Sequence, residues 1–246
     1  MPALIAVYGA AAYAVFLATF LYAIGFVANL LVPKSIDVGI PAGAAGEPLA
    51  ISLLIDVALL LVFAVQHSVM ARPAFKRWWT RIIPQAAERS TYTLLSSLAL
   101  IALFAFWEPI GGIVWNVEAP VAQAPIYGAY AFGWALVLVS TFLINHFDLF
   151  GLRQVWLQLR GKPYTALQFK TPVLYRYVRH PLYVGWFFAF WSTPTMTVAH
   201  LVFAVATTAY ILIAIQLEER DLIAEHPEYA QYRKRVPMLV PFTKSA

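Results

Sequence analysis

The chain has 246 residues, of which 61% are apolar and only 12% are charged. A soluble domain carries about 25% charged residues, so this composition excludes an ordinary water-soluble fold. Disorder is excluded as well, because disordered chains are poor in aromatic residues and this chain is 15% aromatic. The absence of cysteine excludes disulfides, thiolate metal sites and a cysteine nucleophile. We therefore predict an all-α integral membrane protein with one membrane-embedded domain over residues 1–246.

Apolar stretches of membrane-spanning length recur along the chain. The first has no basic n-region and is too long for a signal peptide, so we expect it to be retained, either spanning fully or lying partly in the interface. We expect Pro33 to end it, and a loop rich in glycine and proline follows, through Pro41, Gly43, Gly46 and Pro48. The first four predicted spans cover residues 4–32, 49–70, 91–107 and 125–147.

The last apolar stretch, residues 181–217, is too long for one crossing. As a single helix it would extend about 55 Å, whereas the hydrocarbon core is about 30 Å thick. Pro194 interrupts the stretch. We therefore predict a helical hairpin, making about five transmembrane elements in all. A first leg over about 182–193 turns in or near the far leaflet, and a second over about 196–217 recrosses to a cytoplasmic cofactor segment at 218–246.

The placement of the basic residues supports the hairpin. Sixteen of the seventeen Lys and Arg residues lie in the segments 72–89, 153–179 and 220–246, which share one face only if the last stretch folds back. The opposite face receives Lys34 and several acids. The positive-inside rule then places the basic face in the cytoplasm, and we predict a multi-pass protein of the bacterial inner membrane.

Polar residues gather at the span ends that this topology places in the cytoplasm. They form four clusters, at residues 66–68, 145–148, 177–185 and 218–241. Polar groups near a bilayer are costly unless they are paired, so they are candidates for function. We predict one cytoplasm-facing pocket formed by all four clusters. Asp56, alone in the second span, is expected to bond a backbone or polar neighbour in the bundle.

Two of the clusters carry a recognisable pattern. Arg179-His180-Pro181-Leu182-Tyr183-Val184-Gly185, then Glu218-Glu219, Tyr229-Ala230-Gln231-Tyr232 and Val236-Pro237 with Pro241, resembles the membrane methyltransferases of the isoprenylcysteine carboxyl methyltransferase type. Phospholipid N-methyltransferases share this pattern. The resemblance implies that the region binds S-adenosylmethionine (SAM) and releases S-adenosylhomocysteine.

Further blocks narrow the resemblance and extend it over most of the chain. Gln66-His67-Ser68 with Arg72-Pro73, Glu88-Arg89-Ser90 and the segment 145–154 are similar to the methanethiol S-methyltransferase branch, which makes dimethyl sulfide from methanethiol. One departure is visible: Glu225-His226-Pro227-Glu228 stands where many members have Phe-Gly before the Tyr-x-x-Tyr pair. We interpret it as variation in a loop, and the resemblance therefore does not define the exact cofactor lid.

The resemblance implies a set of cofactor-binding residues with plausible physical roles. Arg179 can pair with the carboxylate of SAM, and tyrosine rings can hold the adenine or the sulfonium. Glu218 and Glu219 point about 100° apart on a helix, so we expect only one to face the pocket. Gly185 permits close approach of a ligand or of a neighbouring helix. The predicted cofactor-binding residues are Tyr177, Arg179, His180, Pro181, Tyr183, Gly185, Glu218, Glu219, Tyr229 and Arg233.

The acceptor thiol must be ionised, because the thiolate is the reactive form. His146 and His67 are the best candidate bases, with Asn145 as a hydrogen-bond donor and Asp148 as the partner that orients a histidine. Positioning and exclusion of water would supply much of the rate. A small volatile thiol can enter through the lipid bilayer.

Other functions are weighed against this one. The same chemistry could serve a prenylcysteine carboxylate or a lipid amine. A transporter is disfavoured because no inverted repeat or matched pair of broken helices is visible. No two of the five histidines are three or four residues apart, so no metal site is predicted. No nucleic-acid partner is predicted, and the sequence leaves the oligomeric state open.

Overall fold

The structure is a computed structural model that describes residues 2–39 and 48–243. The predicted loop positions Pro41, Gly43 and Gly46 lie outside these residues, as do Glu47 and Lys244. Within them the chain is mainly helical, with two short strands. The helices are α1 Pro2–Ala28, α2 Leu49–Ala71, α3 Pro73–Trp79, α4 Glu88–Phe106, α5 Pro120–Ile144, α6 His146–Leu149, α7 Leu152–Leu159, α8 Pro181–Trp191, α9 Val198–Glu225 and α10 Tyr229–Arg235. The strands are β1 Ile113–Asn116 and β2 Thr195–Thr197.

Five helices are long and apolar enough to cross a membrane. They are α1, α2, α4 with its preceding 3₁₀ turn, α5 and α9. The predicted all-α membrane fold is therefore confirmed. Their outward faces carry exposed leucine, isoleucine, valine and phenylalanine side chains, as expected where the bilayer is the solvent.

The helices form a closed circuit of packing contacts. Helix α1 packs on α4, α4 on α2, α2 on α9, α9 on α8, and α8 on α5. Phe20 of α1 closes the circuit through edge-on contacts with Trp134 of α5 and Trp186 of α8. The core that they enclose includes Phe26 and Trp107, both fully buried. A bundle of this kind brings the ends of six helices together on each side.

The predicted hairpin is confirmed, with a short first leg. Helix α8 has 11 residues, about 16 Å at 1.5 Å per residue, and it ends before Pro194. Strand β2 then pairs antiparallel with β1, so the turn of the hairpin and the α4–α5 connection lie together. The second leg was predicted to end at residue 217, but α9 continues to Glu225. Its last turns are rich in strong helix formers, so Glu218 and Glu219 lie within a continuous helix.

Two predicted span ends are corrected by the structure. Helix α1 ends at Ala28 and not at Pro33, because Asn29 adopts the left-handed conformation (φ 58°) and the Leu30 N–H donates to the Gly25 carbonyl. Helix α5 ends at Ile144 and not at 147, because Asn145 is extended and its side chain accepts the Asp148 N–H. Asn145 thereby caps the separate helix α6.

The start of α5 also differs from the prediction. The helix begins at Pro120, not near Pro125, and Pro125 lies inside it. Pro120 occupies the first helical turn, where a missing N–H costs nothing. The preference of proline for helix starts therefore applies to the first of the two prolines.

The far end of the bundle, where β1 and β2 lie, is held by buried polar contacts. The Trp107 indole donates to the Ile36 carbonyl over 3.0 Å. Asp56 is fully buried and accepts the backbone N–H of Glu108 over 2.8 Å, so the backbone partner expected for this acid is present. The described residues of the three basic segments are at the opposite end, which we call the basic end.

A close glycine contact sets the distance between α5 and α8. A Cβ atom added at Gly133 would lie 2.6 Å from the Ala189 nitrogen and 2.8 Å from the Gly185 oxygen. One added at Gly185 would lie 2.8 Å from the backbone of Gly133 and of Val137. Small residues of this kind let helix backbones approach in membranes. Of the two roles expected for Gly185, the structure shows the close approach of a neighbouring helix, α5.

We expect Gly133→Ala to destabilise the bundle by about 1–3 kcal/mol, because the added methyl group overpacks a backbone contact. The matched control is Gly128→Ala in the same helix, where an added Cβ meets nothing within 4 Å. That control should hold or raise stability, since alanine favours helix over glycine. Thermal unfolding in detergent, followed by circular dichroism, measures both variants. Equal midpoints would show that the contact does not limit packing.

Candidate active site

A buried carboxylate lies at the centre of the basic end. Glu219 is 2% exposed. Its Oε1 atom accepts from Arg179 Nε over 2.6 Å, from His180 Nε2 over 3.0 Å and from the Tyr229 hydroxyl over 3.2 Å. Its Oε2 atom lies 3.3 Å from Arg233 Nε. Five predicted cofactor-site residues thus form one network, which we call the Glu219 network.

Arg179 ties the C-terminal residues to the start of α8. Its Nη1 atom donates to the backbone carbonyls of Arg233 over 2.9 Å and of Val236 over 2.6 Å. The next backbone N–H groups continue the link, from Arg179 to Pro237 and from His180 to Met238. The buried guanidinium therefore organises the chain around the carboxylate.

The neighbouring acid has a different environment. Glu218 is only partly buried, and its Oε2 atom accepts from the Tyr183 hydroxyl over 2.9 Å. Its surroundings differ from those of Glu219, as expected for adjacent helical residues about 100° apart. Glu219 is surrounded by protein donors, whereas Glu218 keeps acceptor capacity for a ligand.

An aromatic cluster packs over the Glu219 network. Phe169 lies 5.6 Å from the ring of Tyr229 and 5.5 Å from that of Tyr232. The Tyr232 hydroxyl donates to the Tyr175 carbonyl over 2.5 Å. Burial raises the pKa of Tyr229, and it raises the pKa of Tyr232 to about 12. Both phenols therefore stay protonated and serve as donors at neutral pH.

The remaining predicted residues of this region lie at its edges. Pro181 is the first residue of α8, as expected from its missing N–H. Tyr177 is half-exposed at the end of a short 3₁₀ turn, so its ring face is accessible. The structure therefore gathers all ten predicted cofactor residues at one end of α8 and α9, with Gly185 committed to helix packing.

His146 is held by two hydroxyl groups. Its Nδ1 atom lies 2.8 Å from Thr141 Oγ1, and its Nε2 atom lies 2.8 Å from the Tyr13 hydroxyl. Thr141 already donates its proton to the Leu138 carbonyl, so it accepts from Nδ1–H. In the neutral ring, Nε2 then accepts from Tyr13. The imidazole joins α1 to the end of α5.

Asp148 does not orient His146, contrary to expectation; Tyr13 and Thr141 fill that role. The Asp148 carboxylate accepts from Arg153 over 2.8 Å and from the Tyr164 hydroxyl over 3.3 Å. Arg153 also donates to Thr165. The cluster at 145–148 therefore holds the segment 162–172, which lies outside helices and strands and carries Phe169 to the Glu219 network. Neither this segment nor Tyr13 was singled out by the sequence pattern.

His67 lies in a third group of polar side chains. Its Nε2 atom is 2.8 Å from the Tyr92 hydroxyl, and its Nδ1 atom is 3.2 Å from Ser96 Oγ. Ser68 contacts the hydroxyl of Tyr210 on α9 over 3.1 Å. The sequence pattern missed Tyr92 and Tyr210, although Tyr210 precedes Glu218 by about two turns of the same helix.

A salt bridge strengthens the link between α2 and α9. Arg72 Nη1 lies 2.9 Å from Asp221 Oδ2. The clusters at 177–185 and 218–241 are joined directly, and the cluster at 66–68 reaches α9 through Arg72 and Tyr210. The described side-chain hydrogen bonds of 145–148 lead instead to α1, α5, α7 and the segment 162–172. Among the described residues, no three histidine or acidic side chains converge as metal ligands.

The five long apolar helices are those of a multi-pass membrane protein, and the buried Glu219 network at the basic end is its candidate site. The chain is 61% identical over 236 residues to a methanethiol S-methyltransferase of Crocosphaera subtropica, covering 96% of this chain and 91% of that one. It is 52% identical over 237 residues to a methanethiol S-methyltransferase of Mycobacterium tuberculosis, covering 96% and 95%. It is 31% identical over 179 residues to nurim of Rattus norvegicus, covering 70% and 68%.

The chain belongs to the methanethiol S-methyltransferase family, within the membrane methyltransferases. No family model and no solved structure matches it.

We expect Glu219→Gln to cost about 3–5 kcal/mol of unfolding free energy, because it leaves the buried Arg179 guanidinium without its counter-charge. The control is Glu228→Gln, whose exposed carboxylate lies 3.9 Å from His226 and should contribute little. Thermal unfolding in detergent compares the two. Similar midpoints for both variants would contradict a stabilising role for the Glu219 network.

Proposed function

We propose that the chain is a SAM-dependent S-methyltransferase that converts methanethiol to dimethyl sulfide. The observation that carries the proposal is its 61% identity, over 96% of its length, to a protein named methanethiol S-methyltransferase. The Glu219 network supports the proposal, because it concentrates charged and aromatic side chains at the membrane edge. One apolar substrate and one polar donor can meet there.

The residues at the basic end suit the chemistry of SAM. Its ammonium group and ribose hydroxyls need an acceptor, and Glu218 has carboxylate capacity beyond its bond to Tyr183. The aromatic faces of Tyr177 and Tyr183 suit the adenine ring and the sulfonium. Arg179 and His180 are committed to Glu219, so they position α8 and the C-terminal residues around the donor.

The donor supplies an electrophilic methyl group, and the protein must supply an ionised thiol in line with it. A small alkyl thiol has a pKa near or above about 8.5, so a base is needed at neutral pH. His146 and His67 are the candidates, with Asn145 and Asp148 supporting the segment around His146. Alignment of the two sulfur atoms and exclusion of water contribute the rest of the rate.

The proposed active site faces the cytoplasm, where SAM is available. The one-sided distribution of lysine and arginine supports this orientation. The methanethiol molecule is small and apolar, so the bilayer is a suitable entry route. The membrane is proposed to be the bacterial inner membrane.

The direct test is to incubate membranes containing the protein with SAM and methanethiol and to measure dimethyl sulfide in the headspace by gas chromatography. We expect product that depends on both substrates and on the protein. Membranes from cells without the protein provide the control. Methyl transfer only to a lipid amine or prenylated cysteine would show that the acceptor is wrong, and failure to bind SAM would overturn the whole proposal.

We expect Glu218→Gln to weaken SAM binding about ten- to a hundredfold, since a hydrogen bond to a charged group contributes about 1.5–3 kcal/mol. Its unfolding midpoint should stay near that of the unaltered protein, because Glu218 is only partly buried. Isothermal titration calorimetry in detergent measures the affinity. Glu225→Gln, at the exposed end of α9, should bind SAM normally. Equal affinities in the two variants would remove Glu218 from the donor site.

The cysteine-free sequence allows a clean test of orientation. We expect a membrane-impermeant maleimide, added to intact cells, to label Glu118→Cys between β1 and α5. Lys162→Cys at the basic end should be labelled only after the membrane is permeabilised. Both positions are exposed, so each serves as the control for the other. The reverse labelling pattern would place the basic end outside the cell.

A further inference from the structure

We propose that the acceptor thiol binds between α2, α4 and α9, with His67 accepting its proton and Tyr92 donating a hydrogen bond to its sulfur. This inference rests on the proposed function and assigns one of its two candidate bases. The group of side chains concerned is His67, Ser68, Tyr92, Ser96 and Tyr210, which we call the His67 cluster.

The His67 cluster combines polar and apolar contacts suited to a small thiol. Hydroxyl groups come from three helices, and the ring of Phe63 stacks on the imidazole at a centroid distance of 5.1 Å. Phe63 also packs edge-on against Tyr210. A methyl group fits against such an aromatic wall, while the sulfur can accept from phenol and hydroxyl donors. An apolar wall beside hydrogen-bond donors favours methanethiol over water, which has no methyl group to pack against Phe63.

The contact between Tyr92 and His67 is poorly directed. The phenol oxygen lies 2.8 Å from Nε2 and 3.1 Å from Nδ1, so it lies across the edge of the imidazole between the two nitrogens. A hydrogen bond along one lone pair would favour a single nitrogen. A thiol can therefore replace this contact without the loss of a well-aligned bond.

The His67 cluster adjoins the proposed donor site. Tyr210 and Glu218 lie about two turns apart on α9, and the Tyr183 hydroxyl donates to Glu218. Ser68 contacts Tyr210, which precedes Glu218 on α9. A thiol bound at His67 is thus on the Glu218 side of the Glu219 network. His146 instead contacts α1 and α5, and its Nε2 is occupied by Tyr13.

Positive charge around the cluster favours the ionised acceptor. The Arg89 guanidinium lies 5.8 Å from the centroid of the Tyr92 ring, and Arg72 donates to the Ser68 carbonyl over 3.2 Å. Because these cations oppose a second positive charge on His67, the imidazole takes the proton only as the thiolate forms beside it. Cations near a thiol stabilise its thiolate. Arg72 is held in place by Asp221.

The transfer step balances with these groups alone. The S–H proton of methanethiol moves to a ring nitrogen of His67, and the sulfur lone pair forms a bond to the methyl carbon of the donor. The bond between that carbon and the sulfonium sulfur breaks, and its electron pair stays on S-adenosylhomocysteine. The proton on His67 returns to water after dimethyl sulfide leaves.

The test compares methanethiol with methaneselenol, whose acceptor group is already ionised at neutral pH. His67→Gln should lower the turnover of methanethiol about a hundredfold, the lower end of the range for general base catalysis. Turnover of methaneselenol should fall less than about tenfold. Tyr92→Phe should raise the KM or lower the kcat for methanethiol about tenfold, as expected for one lost hydrogen bond of about 1.4 kcal/mol. Binding of S-adenosylhomocysteine should be unchanged in both.

The matched control is Tyr22→Phe, which removes a phenol that donates to the Lys34 carbonyl at the far end. It should leave both turnover rates unchanged. Equal losses with thiol and selenol in His67→Gln, or no loss in either variant, would overturn the assignment. Loss of S-adenosylhomocysteine binding in Tyr92→Phe would also overturn it and place the cluster in the donor site. An unaltered protein that binds S-adenosylhomocysteine but methylates no thiol refutes the proposed function instead.

Discussion

The burial of one carboxylate, Glu219, constrains the basic end of the molecule. A carboxylate in this position is tolerated only when cations and hydrogen-bond donors surround it. Arg179 and His180 supply them from the start of α8, and Tyr229 and Arg233 supply them from α10. The two legs of the hairpin and the C-terminal segment must therefore come together in one arrangement. The adjacent Glu218 is held at the edge of this arrangement, where a ligand can reach it.

The hairpin brings the start of α8 and the end of α9 to the same end of the bundle. A single crossing after residue 181 would put Arg179 and Glu219 on opposite sides of the bilayer. The short helix α8 avoids this by ending before Pro194, and the β1–β2 pair hydrogen-bonds the backbone at the turn. The close contact of Gly133 with α8 then holds the short leg against α5, so that the start of α8 is fixed where its motif residues are needed.

Different parts of the molecule were predictable from the sequence to different degrees. Length and charge placement predicted the spans and the hairpin. The thickness of the bilayer sets the length of a span, and the positive-inside rule sets the side on which basic segments lie. The gathering of Arg179, His180 and Glu219 followed from the hairpin and the resemblance. The helix ends at Ala28 and Ile144 did not follow, since they depend on local capping by Asn29 and Asn145. Tyr13, Tyr92 and Phe169 were also missed, because their roles come from contacts between distant segments and no local spacing marks them.

The links from Arg179 to the backbone of residues 233, 236 and 237 have a consequence for synthesis. A chain grows from its N-terminus, so α8 and α9 enter the membrane before α10 exists. During that interval Glu219 lacks two of its donors, and the Arg179 guanidinium lacks its carbonyl partners. The Glu219 network is therefore completed only after residues 229–237 have been synthesised. A ribosome that stalls before Tyr229 leaves an inserted bundle in which Glu219 and Arg179 lack these partners.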